Sequence, residues 1–138
     1  MSLVFIDTNI LVYAFDVDAG FKFEKAQSIL KDCWNNQSGL LSTQVLQEFY
    51  ETVTKKLTSK MDKQSARNIV QVYRTWLASP IMSEDIIEAS EFEEQNKLSF
   101  WDSLIITIAQ KAGAETLYSE DMQHGQKFGG LTIINPFK

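Results

Sequence analysis

The apolar run Leu3-Val4-Phe5-Ile6 stops at Asp7-Thr8-Asn9 and passes at once into Ile10, Leu11, Ala14 and Phe15, which keep helical spacing. A short strand without polar alternation is buried on both faces, and a helix that follows it after a polar turn opens a βα unit. Thr116-Leu117-Tyr118 and Leu131 to Ile134 are again short and largely apolar, with helical stretches lying between them and the first strand. Such strands, separated by helices, predict a parallel sheet covered on both faces: a three-layer α/β/α sandwich with right-handed crossovers.

After Gly20, the residues Phe23, Ala26, Gln27, Leu30 and Trp34 hold helical spacing until Asn35-Asn36-Gln37-Ser38-Gly39 breaks it, and Leu40-Leu41 forms a very short strand. Ser42 or Thr43 caps the next helix, whose apolar arc is Val45, Leu46, Phe49 and Val53. A further helix starts at Asp62 and places Ala66, Ile69, Val70, Tyr73 and Leu77 on one side, with Trp76 beside them. Pro80-Ile81-Met82 is an edge-strand candidate, Ser83 caps an acidic helix with Ile86, Ile87 and Ala89, and Ser99 caps a helix that ends near Gly113. The excursion from Ser42 to Leu77 is a candidate lid or assembly surface. With no repeat, linker or low-complexity tract, residues 1–138 read as one domain, and 44% hydrophobic content suffices for a core.

Cys33 stands alone and can form no internal disulfide, and Met1 to Ile6 lacks the basic flank of a signal peptide, so a reducing cytoplasm is the expected setting. Polar residues interrupt every run short of the roughly 18 apolar residues of a membrane span, so no membrane association is expected. Thirteen basic against eighteen acidic side chains give a net charge of -5, which argues against holding nucleic acid by bulk attraction. Bound cations would invert that logic locally by neutralising acids and contacting phosphate.

Four acids stand out, each with an ordinary explanation beside a chemical one. Asp7 lies at the end of the first strand, where open α/β sheets place ligands, yet it also suits a helix cap. Glu48 falls about 60° outside the apolar arc of its helix, a position that faces either a cleft or water. Asp102 completes the capping-box pattern Ser99-Phe100-Trp101-Asp102, and Asp121 in Ser119-Glu120-Asp121 suits a turn. Their conjunction is more informative. Asp7 and Asp121 leave strand ends, while Glu48 and Asp102 sit early in helices that begin from the same side. Crowded carboxylates repel and imply a cation; hard oxygen ligands suit Mg²⁺ or Mn²⁺, and zinc has no Cys/His spacing to support it.

His124, the sole histidine, is a secondary candidate for substrate contact. Helical spacing assigns most of Trp34, Trp76 and Trp101 to packing, with Trp101 the exception because it adjoins Asp102 and could stack on a base. The run Glu84, Asp85, Glu88, Glu91, Glu93 and Glu94 reads as a solvated helix face.

Val4-Phe5-Ile6-Asp7-Thr8-Asn9, Gln47-Glu48-Phe49, Trp101-Asp102-Ser103 and Leu117-Tyr118-Ser119-Glu120-Asp121, in this order and over nearly the whole chain, resemble the PIN-domain family, in particular its VapC-like toxins. The resemblance implies a parallel sheet between helices, Asp7, Glu48, Asp102 and Asp121 as catalytic and metal-coordinating acids, and Thr8, Asn9 and Ser119 in support. It further implies Mg²⁺ or Mn²⁺ as cofactor, hydrolysis of single-stranded RNA, an inhibitory antitoxin partner and a homodimer. Many relatives carry another aspartate soon after the fourth acid, where this chain has Met122 and Gln123, with Glu120 as the neighbouring alternative. Two competing readings are a phosphohydrolase with Asp7 as nucleophile and a catalytically silent module that binds RNA or protein. The first lacks a second aspartate two residues on, and the second would be favoured by loss of one of the four acids.

Overall fold

The computed structural model describes residues 2–138. Strand β1 (Leu3–Ile6) leads through α1 (Thr8–Tyr13), a 3₁₀ turn (Val17–Ala19) and α2 (Phe21–Asn36) to β2 (Gly39–Leu40). Helices α3 (Thr43–Lys55), α4 (Lys63–Tyr73), α5 (Ser83–Asn96) and α6 (Phe100–Lys111) follow, and β3 (Ala114–Tyr118), β4 (Lys127–Phe128) and β5 (Leu131–Ile134) close the chain. The sheet order is β2-β1-β3-β5-β4. All pairings are parallel except β4 with β5. That antiparallel edge is a hairpin in which Phe128 faces Leu131 across Gly129-Gly130, with Gly129 at φ 59. Glycine reaches this left-handed backbone without a Cβ penalty, which permits so tight a reversal.

The core runs through the sheet: Phe5, Ile6, Leu117 and Ile133 are fully buried, and Ile10, Leu11, Val45, Phe49, Ile106 and Ile108 reach it from the helices. Strands that are apolar throughout are explained by this two-sided cover. Local caps hold the helices where the sequence places them. Ser42 Oγ accepts from Val45 N–H, Asp62 Oδ2 from Ser65 N–H and Ser99 Oγ from Asp102 N–H.

Four expectations need correction. Pro80-Ile81-Met82 is not a strand; the edge pairing falls earlier, as a parallel bridge between Leu41 and Leu77. Leu41 N–H donates to Trp76 O at 2.9 Å and Ala78 N–H to Leu41 O at 2.9 Å; Pro80 has no N–H with which to extend the ladder. Met82, not Ser83, is the cap residue of α5, and Asp85 Oδ2 accepts its N–H at 2.8 Å. Asp85 is thereby the exception in the acidic run: it is buried and also accepts from Lys111 Nζ at 2.9 Å. The apolar side of α4 likewise ends sooner than its spacing suggests, since a 3₁₀ turn (Arg74–Trp76) replaces the last helical turn and Leu77 is extended.

Candidate metal centre

The chain leaves β1 for β2 on one side and later returns to β3 on the other, so the connections diverge at the carboxyl ends of β1 and β3. Such a switch point leaves a crevice that no crossover covers. Asp7 follows β1 and Ser119 follows β3, and the backbone ties the two exits together where Asp7 N–H donates to Tyr118 O at 3.0 Å. The crevice is a cleft of about 540 Å³, with Asp7, Glu48, Asp102 and Asp121 all in its lining.

Asp7 lies deepest, 6% exposed. Its Oδ1 accepts from Thr8 N–H at 2.7 Å, so the capping role read from the sequence is real, and its Oδ2 accepts from the buried Ser119 hydroxyl at 2.7 Å. Burial pushes its carboxyl up to about 6; the Ser119 and Thr8 bonds oppose this, and the charges of Asp121 and Asp102 add to it. Asp102 is raised as well, first by burial, against the Ser99 hydroxyl and with the charges of Asp121 and Glu48. Capping and cleft-lining thus coexist at Asp7, where one oxygen serves the helix; at Asp102 the cap is Ser99, which takes the Asp102 N–H, and the carboxylate lines the crevice without closing the expected capping box.

The more exposed acids are held by neutral donors. Thr8 Oγ1 donates to Glu48 Oε1 at 2.7 Å, and Asn9 Nδ2 donates to Asp121 Oδ2 at 2.9 Å. Ser119 Oγ accepts from Asp121 N–H at 3.2 Å while donating to Asp7, so one hydroxyl joins the first acid to the fourth. With these bonds in place, no three acidic, histidine or cysteine side chains among the described residues stand close enough to ligate a single ion together.

Trp101 is 60% exposed and lines the same cleft, whereas Trp76 is buried and Trp34 packs against it. His124 is not in the lining: its Nδ1 accepts from Asn135 N–H at 2.9 Å, which ties the loop after β3 to the end of β5. Glu120 also turns aside, its carboxylate accepting from the Tyr13 hydroxyl at 2.5 Å and from Lys22 Nζ. Three participants were not legible in advance. Tyr13 and Lys22 have no motif to mark them. Gln44 is buried in the cleft wall with an Oε1 that lacks a hydrogen-bond partner among the described residues; its one signal is that it lies four residues before Glu48, on the same helical face.

The family model described as the PIN domain matches residues 4–126. The chain belongs to the PIN-domain family. Its fold is shared with a toxin–antitoxin complex from Klebsiella pneumoniae, at 21% identity over 98% of each chain with a TM-score of 0.65. It is similar also to FitAB bound to an IR36 DNA fragment, at 16% identity over 99% of this chain and 96% of that one, with a TM-score of 0.70. VapC20 of Mycobacterium tuberculosis, described as a sarcin-ricin loop cleaving toxin, is 17% identical over 86% of this chain and 89% of its own, with a TM-score of 0.63. No curated protein matches the chain.

Proposed function

We propose that the protein is a metal-dependent endoribonuclease that hydrolyses single-stranded RNA, with Asp7, Glu48, Asp102 and Asp121 as its metal-holding and catalytic acids. The observation that carries this reading is the meeting, in one cleft at the sheet's switch point, of four carboxylates from separate elements, with Asp7 pushed up to about 6. Carboxylates brought into one cleft, two of them raised first by burial and then by neighbouring charge, gain from a hard divalent cation, so the chemistry of the donors suits Mg²⁺ or Mn²⁺, which would draw the side chains closer than they stand without it. When bound, such an ion supplies a water of lowered pKa and neutralises charge on the phosphate. Asp7 and Asp102 are the central ligands in this proposal, and Glu48 or Asp121 is left to orient the attacking water. Thr8, Asn9 and Ser119 hold the acids in register through the bonds described above. Trp101, exposed at the cleft, offers a stacking surface for a base. Water attack without the ribose 2′-hydroxyl leaves 5′-phosphate and 3′-hydroxyl ends.

Use of Asp7 as a covalent nucleophile is disfavoured, because Asn9 stands two residues on where that chemistry would want a second aspartate. Retention of all four acids disfavours a silent binding module. The structural relatives, a toxin–antitoxin complex and a sarcin-ricin loop cleaving toxin, support a toxin held by an antitoxin, and we extend that role, with a homodimeric assembly, to this chain. We place it in the cytoplasm as one domain over 1–138; no helix among the described residues is long and apolar enough to cross a membrane, and Cys33 is buried.

The test is cleavage of end-labelled single-stranded RNA with Mn²⁺ by the wild type, Asp7→Asn and Asp102→Asn. Loss of about a hundredfold or more in rate is expected in each variant. Equal cleavage by all three proteins would remove both residues from the mechanism.

A further inference from the structure

Beside the four acids lies a fifth carboxylate at the same strand end, and the structure shows it committed elsewhere. Glu120 immediately precedes Asp121. Its carboxylate takes the Tyr13 hydroxyl on one oxygen and Lys22 Nζ on the other. Lys22 in turn lies 5.2 Å from the centre of the Tyr13 ring and 5.4 Å from that of Phe137, and these two rings meet edge to face at 5.3 Å. A half-buried ammonium between two ring faces and a carboxylate is fixed more firmly than a solvated lysine. The backbone carries that fixity onward: Glu120 N–H donates to Asn9 Oδ1 at 3.2 Å, and the same Asn9 donates from Nδ2 to Asp121 Oδ2. The Asn9 amide is therefore oriented at both ends, and its orientation sets that of the Asp121 carboxylate. Burial of Glu120 favours its protonated form, but Lys22 and Tyr13 outweigh this and hold the carboxyl below its usual range.

We infer that Lys22 and Tyr13 are positioning residues, which clamp Glu120 away from the acidic cleft and so hold Asn9 and Asp121 in the orientation that the metal centre uses. The inference rests on the metal-centre reading above. In it Glu120 is not itself a ligand; it is the fixed post against which the fourth acid is set. Phe137 takes part through its ring, so the end of the chain braces the site without touching it.

Two measurements on Lys22→Met, Lys22→Arg and Glu120→Gln separate this from its rivals. Amide hydrogen exchange on the metal-free protein reads the clamp directly. Lys22→Met should accelerate exchange at Glu120 about tenfold or more while the β3 amides stay protected. Lys22→Arg, which keeps the charge, should restore most of the protection. The Mn²⁺ concentration at half-saturation, read by thermal shift, gives the consequence: Lys22→Met should raise it about tenfold, in the range for partners behind a metal ligand. The KM for labelled RNA should change little, because Lys22 does not line the cleft. Unchanged exchange at Glu120 in Lys22→Met overturns the clamp. A lower melting temperature with an unchanged Mn²⁺ midpoint overturns the positioning role and leaves a purely structural one. If Glu120 is itself a ligand, Lys22→Met should tighten Mn²⁺ binding and Glu120→Gln should weaken it, which also overturns the inference. A wild type that ignores Mn²⁺ defeats the metal reading, and the exchange result then decides the clamp by itself.

Discussion

Removing water from the Asp7 carboxylate raises its pKa from 3.8 to about 6, so between those values the native state binds more protons than the unfolded chain. The contribution of Asp7 to stability is therefore most favourable below pH 4 and is lost as pH rises to about 6; the two pKa values correspond to about 3 kcal/mol in the metal-free protein. Asp102, shifted in the same direction, adds to the trend. Asp7→Asn should then stabilise the metal-free protein at pH 7. The gain will be less than the full figure, because the amide NH₂ that replaces one oxygen donates and cannot accept, so the bond from either Thr8 N–H or the Ser119 hydroxyl is lost. Urea denaturation at pH 7 and pH 4 checks this: the advantage of the variant should shrink or vanish at the lower pH, and an advantage that grows would contradict it. Ser119→Ala removes a bond that favours the ionised form, so the Asp7 carboxyl should titrate above about 6 when followed by ¹³C NMR.

Helix starts were legible at the scale of elements because a cap is a local interaction: Ser42, Asp62 and Ser99 each bond to an N–H three residues on, and each stands before an apolar arc. Edges were less legible because they are made by distant partners. Residues 127–128 become a strand only when the Gly129-Gly130 turn folds them onto β5, and no alternation marks a pair so short. Leu77 pairs with Leu41 because Trp76 is seated under β2, which the order of residues does not announce. This seat yields a prediction. A Cβ on Gly39 would lie 2.7 Å from the Trp76 ring, and that ring is already flanked by Trp34 and Tyr73. Gly39→Ala should destabilise the fold by about 1–3 kcal/mol, the usual cost of overpacking, with the m-value of urea unfolding unchanged. A neutral result would mean that the ring moves aside without cost.

For the whole molecule, a net charge of -5 and a cleft lined by six acids, Asp16 and Glu51 besides the four named above, point the same way: the native state concentrates repulsion that the unfolded chain disperses. The four acids themselves were legible because their place is dictated by topology, strand ends and helix starts on one side of a parallel sheet. Their fixings were not, since Tyr13, Lys22 and Gln44 act across turns that only the folded chain closes. Thr8, Asn9 and Ser119 keep the carboxylates in place through bonds that offset part of the repulsion, and a divalent ion would remove most of what remains. An ion that binds only the native state should add about 2.7 kcal/mol at a hundredfold excess over its dissociation constant, which is roughly a 10 °C rise in melting temperature for a chain of this size. The rise should be produced by Mn²⁺ and reversed by EDTA. It should weaken below about pH 6, where protons compete for Asp7, and largely disappear in Asp7→Asn. An equal rise in wild type and variant would separate metal binding from Asp7 and contradict its place as a central ligand.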